Sequence, residues 1–444
     1  MKFFFVTFGC KVNQYETQAL REAWQAQGGE ESTTPAGADV VCINSCAITG
    51  KGERDARNAV YRLRREAPNA HIVLTGCAAK LVDAYKPRAN APHARPDIIL
   101  PQTDKARLLC LADVLAENTP HGADTPAPTP AAAFPAFEIA HFHRARPVLK
   151  VQDGCAHRCT YCIVPLTRGR PTSRDPQAIV AEARRLFAAG HAELMVSGIN
   201  LSQYGRDCPD FGDFWAMLHG LDHALAPDHA GTARLRISSL EPSQLDQRGV
   251  ETLMACAMPC PHLHISLQHT SPQVLKRMGR GHYGVDDLYR ALERLRTHWP
   301  RMGLGCDLLV GFPSESEADV DCLLRDIASL PLSYAHVFPY SARPGTAAAT
   351  FPNQVPKHEK LARARAVREA VAHRQQVFLR EQLACTRMLL APDLAAVEGT
   401  HGVNEFYADC ELVGVTNARG PIPAGLVPVR PLDVRGTTLL VAPL

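Results

Sequence analysis

Short apolar runs alternate with helix-like stretches along most of this 444-residue chain, and that alternation narrows the possible folds more than any other feature. Runs at 3–8, 40–43 and 72–74 read as buried strands, with helical stretches at 15–27 and 54–65 between them. Adjacent parallel strands need a long crossover, usually a helix, so the pattern implies a doubly wound parallel sheet. The segment NTPHGADTPAPTPAAAFPA, starting at Asn118, has no apolar period and reads as an extended linker. Beyond it, strand candidates recur at 148–151, 193–197, 234–238, 262–267, 305–311 and 335–340. Such a series fits a partial (β/α)6 barrel of parallel strands with its active site at their C-terminal ends. Residues 357–382 read as one long basic helix, and 388–444, rich in glycine and proline with apolar patches at 411–415, 426–429 and 438–441, as a small β-barrel. The expected organisation is α/β: an N-terminal doubly wound domain (1–117), a proline-rich linker (118–140), a barrel domain (141–375) and a small β-barrel domain (376–444).

With 46% hydrophobic and 21% charged residues, the composition is that of a globular protein, neither disordered nor fibrous. A net charge of +3 carries no general affinity for polyanions, so a nucleic-acid partner would need basic side chains gathered locally. The apolar run at 3–6 is too short for a signal-peptide core and no later stretch reaches membrane-spanning length, so a cytoplasmic protein with no membrane partner is expected. In a reducing compartment, 15 cysteines point to metal or cluster binding before disulfides. Cys42, Cys110, Cys208, Cys306, Cys322, Cys385 and Cys410 stand singly and read as inert thiols.

Two sets of cysteines carry more. QDGCAHRCTYCIVP places Cys155, Cys159 and Cys162 in a C-x3-C-x2-C array directly after a strand candidate. Three thiolates leave a tetrahedral zinc site incomplete, and His157 lies inside the tight loop, poorly placed as a fourth ligand. A 4Fe-4S cluster tolerates three protein thiolates and keeps one iron open for an external ligand. The second set is dispersed: FVTFGC ends at Cys10, VVCINSC at Cys46 and VLTGC at Cys77, each just past a strand candidate. Parallel strands of one sheet end on the same edge, so three residues distant in sequence reach one crevice. Structural cysteines would not gather at strand ends, and a second three-thiolate cluster is the reading.

The C-x3-C-x2-C loop after the first strand of a parallel barrel resembles the radical S-adenosylmethionine superfamily. With the second triad, and with TFGCKVNQYET, INSCAITGKGER, TGCAAK, QDGCAHRCTYCIVPLTRGR, RLRISSLEP, HLHISLQ, LKRM, DLLVGFP and HVFPYSARPGT, the chain resembles the methylthiotransferase family over nearly its whole length. The resemblance implies two 4Fe-4S clusters, on Cys155, Cys159 and Cys162 and on Cys10, Cys46 and Cys77, with S-adenosylmethionine as both methyl and radical source. It also implies a tRNA substrate held in part by a C-terminal TRAM-like barrel, an external electron donor, and a sulfur donor that the sequence does not name. KVNQYET and QDGC most resemble the branch acting on threonylcarbamoyladenosine beside the anticodon. Branches acting on isopentenyladenosine or on a ribosomal-protein aspartate share the domain plan, and a non-catalytic cluster or RNA-binding protein is the alternative of a different class.

By the same resemblance Tyr161 contacts adenine, Ser197, Gly198 and Asn200 receive the methionine amino group, and Gly311 lets the adenine side approach backbone. Arg144, Arg146, Lys150, Arg158, Arg168, Arg170 and Arg174 bunch around the radical motif, where TRGRPTSR is expected to contact phosphate or hold the cluster loop. Cys256, Cys260, His262 and His264 could spell a zinc site, but both histidines would share one strand face and compete with its packing. His269 and Thr270 after SLQ, Ser314 in place of a usual glycine after GFP, and a divergent C-terminal module depart from the family pattern, and put RNA affinity in doubt more than radical chemistry.

Overall fold

The computed structural model describes residues 1–81, 95–117, 134–142, 146–393, 401–413 and 425–444. Residues 118–133 of the expected linker, Arg144, and 414–415 of one expected apolar patch lie outside them. The chain divides into two compact units: one of residues 1–140, 152–173 and 341–349, the other of 141–151, 174–340 and 350–444.

In the first unit, strands β1 (Lys2–Thr7), β2 (Glu30–Glu31), β3 (Val40–Ser45), β4 (His71–Gly76) and β5 (Ile98–Ile99) form one parallel sheet in the order β2-β1-β3-β4-β5. Period-two alternation along β1 sends its apolar side chains to both faces. Phe3 and Phe5 meet Trp24 of helix α1 (Lys11–Ala26), Phe5 stacking on it at 4.7 Å. Phe4 and Val6 face the opposite core, where Ala59, Val60 and Leu63 of helix α2 (Gly50–Glu66) pack on Val41, Ile43, Ile72 and Leu74. One helix per face makes the sheet doubly wound. The order places the topological switch between β1 and β3, the crevice where such sheets take ligands.

α1 starts at Lys11, a full turn before the apolar period becomes readable. Its first turns turn polar side chains inward: Asn13, Glu16, Thr17 and Gln18 are buried, so hydrophobic periodicity cannot mark that start.

In the second unit, parallel strands Val148–Lys150, Glu193–Ser197 and Arg234–Ile237 form one sheet, and Ser239–Leu240, His262–Gln268, Gly303–Val310 and Leu332–Pro339 another. The third sequence strand is thus divided at Ser238: its first part pairs with the 193 strand, its second with the 262 strand. That break carries six sequential strand positions around an open arc, the partial barrel. The long helix spans Lys357–Glu381, and after it five strands close into a barrel in the order Met388–Pro392, His401–Asn404, Asp409–Leu412, Thr438–Pro443, Val427–Arg435. The first two of these carried no strand signal in the apolar patches.

Within this unit a buried carboxylate anchors the C-terminal barrel. Glu193 accepts from Arg234 Nε and Arg236 Nε, each at 2.6 Å. The two guanidinium groups then reach the carbonyls of Leu389, Val403, Asn404 and Glu405 at 2.7–3.1 Å. No helix among the described residues is long and apolar enough to cross a membrane.

Candidate functional site

Cys10, Cys46 and Cys77 immediately follow or nearly follow β1, β3 and β4, three neighbouring strands of the first unit. Cys10 is exposed, Cys46 and Cys77 are buried. Two glycines permit the approach. Gly9 has φ +94°, and a Cβ there would stand 2.8 Å from Cys46 Cβ and 2.9 Å from its Sγ. Gly76 also has φ +94°, and a Cβ there would meet the Ser45 carbonyl oxygen at 2.4 Å. Ser45 ties the edge together, its Oγ donating to the Thr75 carbonyl at 2.6 Å and accepting from the Ala78 amide at 3.2 Å.

Burial pushes the Cys46 thiol up to about 11; Cys77 and Cys10 push it the same way, while the Ile48 amide and Arg168 oppose. Burial also raises Cys77, against the opposing charge of Arg168. A metal centre binds thiolates and reverses this upward pressure.

The Cys155–Cys162 loop belongs to the same unit. Gln152–Asp153 pairs antiparallel with Thr172–Ser173 beneath it, the Cys155 amide donates to the Gly169 carbonyl at 3.1 Å, and the Cys162 amide to the Cys159 carbonyl at 3.1 Å. The His157 amide donates to Cys155 Sγ at 3.4 Å. A short helix, Val164–Arg168, follows. Ile163, next to Cys162, packs in one apolar cluster with Ala47, next to Cys46, and with Cys77 and Ala78. The two triads are therefore neighbours in space, a relation invisible in their separation along the chain.

No three His, Cys, Asp or Glu side chains among the described residues converge closely enough to hold a single metal ion. A polynuclear cluster has a different requirement, since each of its irons takes its own cysteine.

Beneath both triads lies a buried charge network. Arg168 Nε donates to Cys77 Sγ at 3.3 Å, one Nη to Glu16 at 3.0 Å and to both Asp153 oxygens at 2.9 and 3.0 Å, and the other to Asn13 Oδ1 at 2.6 Å. Lys105 Nζ donates to Glu16 at 2.5 Å and to Asn44 Oδ1 at 2.9 Å. Burial disfavours the Arg168 charge, but Asp153, Cys77, Glu16 and Cys10 outweigh that and hold it firmly cationic. For Lys105 burial wins and lowers its proton affinity against the pull of Glu16. Asn13, Glu16, Asn44 and Lys105 were not singled out by sequence reasoning. For Asn13 and Glu16 the signal was polar residues about one turn apart on the inward face of α1; Asn44 on β3 and Lys105 in the 102–109 turn carried none.

TRGRPTSR was expected to contact phosphate or hold the cluster loop, and Arg168 takes the second place, on Asp153 at the start of that loop. Lys150, Arg168 and Arg174 are buried, and Arg174 pairs with Glu182 at 3.0 Å. Arg146 lies over the Tyr407 ring at 4.8 Å. Arg158 and Arg170 are exposed.

Of the residues assigned to S-adenosylmethionine, Tyr161 is half-buried in the first unit, while Ser197, Gly198, Asn200 and Gly311 lie just at or past strand ends in the second. Asn200 Nδ2 donates to Glu241 at 3.2 Å, and its Oδ1 accepts from the Ser202 amide at 3.0 Å. The Gly311 amide donates to Glu315 at 2.5 Å, and a Cβ at Gly311 would meet Lys360 Cγ at 2.4 Å, so packing already requires glycine there. His269, Thr270 and Ser271 form the strand-end turn, His269 Nδ1 accepting the Thr270 and Ser271 amides at 3.0 and 2.9 Å. His262 packs against both Tyr334 and Tyr407, and His264 accepts or donates at Tyr334 (2.8 Å) and faces Asp307 (3.2 Å), so packing partners occupy both rings.

Two family models match the chain: the Radical SAM superfamily over residues 149–327 and the Uncharacterized protein family UPF0004 over residues 2–93. The threonylcarbamoyladenosine tRNA methylthiotransferase MtaB of Bacillus subtilis is 34% identical over 357 residues, 80% of this chain and 77% of that protein. The chain belongs to the radical SAM methylthiotransferase family. A further MtaB, from Thermotoga maritima, is 31% identical over 92% of this chain and 90% of its own. A tRNA-2-methylthio-N(6)-dimethylallyladenosine synthase from Bartonella quintana is 30% identical over 88% of this chain and 85% of its own. Among solved structures, the radical S-adenosylmethionine methyltransferase TsrM of Kitasatospora setae, with cobalamin and a 4Fe-4S cluster bound, shares the fold. Its TM-score is 0.55 at 17% identity, over 78% of this chain and 77% of that one. Radical SAM methylthiotransferases use S-adenosylmethionine and 4Fe-4S clusters, and the cysteine crevice of this member has the donor chemistry for such clusters.

Proposed function

We propose that this chain transfers a methylthio group to C2 of N6-threonylcarbamoyladenosine at position 37 of tRNA, giving the 2-methylthio derivative. The observation that carries the reading is the juxtaposition of the two cysteine triads within one compact unit, through Ile163, Ala47 and Cys77. The MtaB relatives support the nucleoside. Cys155, Cys159 and Cys162 would hold the radical-forming cluster, Cys10, Cys46 and Cys77 the auxiliary one. When bound, the first supplies the electron that cleaves S-adenosylmethionine into methionine and a 5′-deoxyadenosyl radical, and the second a place for sulfur.

The chain's own contribution is positional. Asp153 Oδ1 accepts the Gly154 amide at 2.7 Å, and the Cys155 amide is tied to Gly169, so the radical loop has its backbone fixed at its start. The buried apolar cluster of Ile163 with Ala47 and Cys77 ties the end of the radical loop to the strand edge that carries the second triad. The electron donor comes from outside the chain in this reading, and the source of the sulfur is left open. Tyr161, Ser197, Gly198, Asn200 and Gly311 are its assigned contacts for S-adenosylmethionine.

Mass spectrometry of tRNA nucleosides from cells lacking the protein tests the substrate. The 2-methylthio-threonylcarbamoyl nucleoside should vanish and its unthiolated precursor persist. Loss of the isopentenyl counterpart instead would reassign the substrate, and an unchanged nucleoside profile would remove tRNA from the proposal.

A further inference from the structure

Resting on the reading of Cys10, Cys46 and Cys77 as ligands of the auxiliary cluster, we propose that Arg168 is a positioning residue that raises the reduction potential of that cluster by donating to the Cys77 sulfur.

All three nitrogens of its guanidinium are committed: Nε to Cys77 Sγ at 3.3 Å, the terminal pair to Glu16, Asp153 and Asn13 at 2.6–3.0 Å. The planar fork is thereby held from the side of α1 and from the start of the radical loop, with its remaining edge on the sulfur. Lysine, a point charge on a flexible stem, cannot make these contacts together. The side chain is 1% exposed, so little water screens its charge. Glu16 is shared with Lys105 and Asp153 also caps Gly154, so the two carboxylates are not reserved for Arg168 alone. Cys10, Cys46 and Cys77 all lie within its electrostatic reach.

Reduction adds negative charge to a cluster. A hydrogen bond and a full positive charge at a ligating sulfur stabilise the reduced form more than the oxidised one, which raises the potential. The sulfur-bearing centre would thus accept charge without help from solvent.

The test uses full-length protein in which Cys155, Cys159 and Cys162 are alanine, reconstituted anaerobically and titrated electrochemically under electron paramagnetic resonance. Arg168→Gln should lower the auxiliary potential by about tenfold in the one-electron equilibrium, about 59 mV. Arg168→Lys, which keeps the charge, should fall between Gln and the parent. Because Arg168→Gln leaves Asp153 buried beside a neutral partner, the double variant Asp153→Asn/Arg168→Gln removes both charges and should keep parental iron content with a potential still below the parent's but lowered less than by Arg168→Gln alone. Variants that hold about four irons at an unchanged potential overturn the inference while leaving the cluster assignment standing. A parent protein holding no cluster overturns the assignment itself, and this inference with it.

Discussion

Gly9 and Cys46 lie so close that a single methyl group on Gly9 would stand 2.8 Å from Cys46 Cβ. Because Gly9 also has φ +94°, an alanine there adds about 1–2 kcal/mol of backbone strain to the collision. Relief would swing Cys10 or Cys46 away from the crevice. Gly9→Ala should therefore lower the iron content of reconstituted protein from about eight toward about four per chain. Reductive cleavage of S-adenosylmethionine should continue, since the radical loop is held by its own backbone bonds, Cys155 to Gly169 and Cys162 to Cys159. Full iron content in that variant would show that the Gly9 turn is not what seats the auxiliary centre.

The Glu193 carboxylate should make stability acid-sensitive. Its burial favours the neutral form, but Arg236 and Arg234 together prevail and hold it well below the usual carboxylate range. A depressed folded value means the stabilisation is complete above about pH 4.5, the unfolded value, and drains as pH falls from there toward the folded one. Glu193→Gln should cost about 3–5 kcal/mol near neutrality, because two buried guanidinium groups lose their counter-charge. Denaturant midpoints measured from pH 7 to pH 3 should fall less steeply in the variant than in the parent; parallel curves would assign the acid response elsewhere.

Ser314 offers the opposite kind of change. Its φ is +62°, where a side chain costs about 1–2 kcal/mol and glycine little. Glycine's greater freedom in the unfolded chain returns about 0.5–1 kcal/mol of that. Ser314→Gly should thus stabilise the protein by about 0.5–1 kcal/mol, readable as a higher melting temperature. A lower one would mean that the serine side chain supplies more than its backbone strain removes.

A single-cysteine change separates the triads by function. Cys46→Ala should keep 5′-deoxyadenosine formation and abolish methylthio transfer, whereas Cys159→Ala should abolish both. Loss of 5′-deoxyadenosine from Cys46→Ala protein that is folded and still holds about four irons would contradict the division of labour.

Much of the architecture was legible because strand and helix periods are local. The run FFFVTF showed a strand without revealing that Phe3 and Phe5 meet one helix and Phe4 and Val6 another. Positions 13 and 16 were hidden because they break the apolar pattern that announces a helix: the inward face of α1 begins with polar side chains that only a charge network can bury. Arg168 was visible as a basic residue of TRGRPTSR, expected at phosphate or at the cluster loop, but sequence carries no record of which carboxylates will surround it. Arg234 and Arg236 were likewise strand residues whose partner, Glu193, sits on the neighbouring strand.

Cysteine type, spacing and strand-end position are properties of the sequence, and by themselves they determined the chemistry: three thiols in a short loop and three at the ends of parallel strands, on an α/β frame. The sheet order β2-β1-β3-β4-β5 decided that the dispersed three would share one edge. Packing of Ile163 in one cluster with Cys77 decided that both sets would be neighbours, and the buried fork of Arg168 decided which charge joins Cys77 to Asp153 at the start of the radical loop. Local patterns arise from neighbours along the chain, whereas these relations join residues as much as 155 positions apart, and only closure of the core brings them within hydrogen-bonding reach.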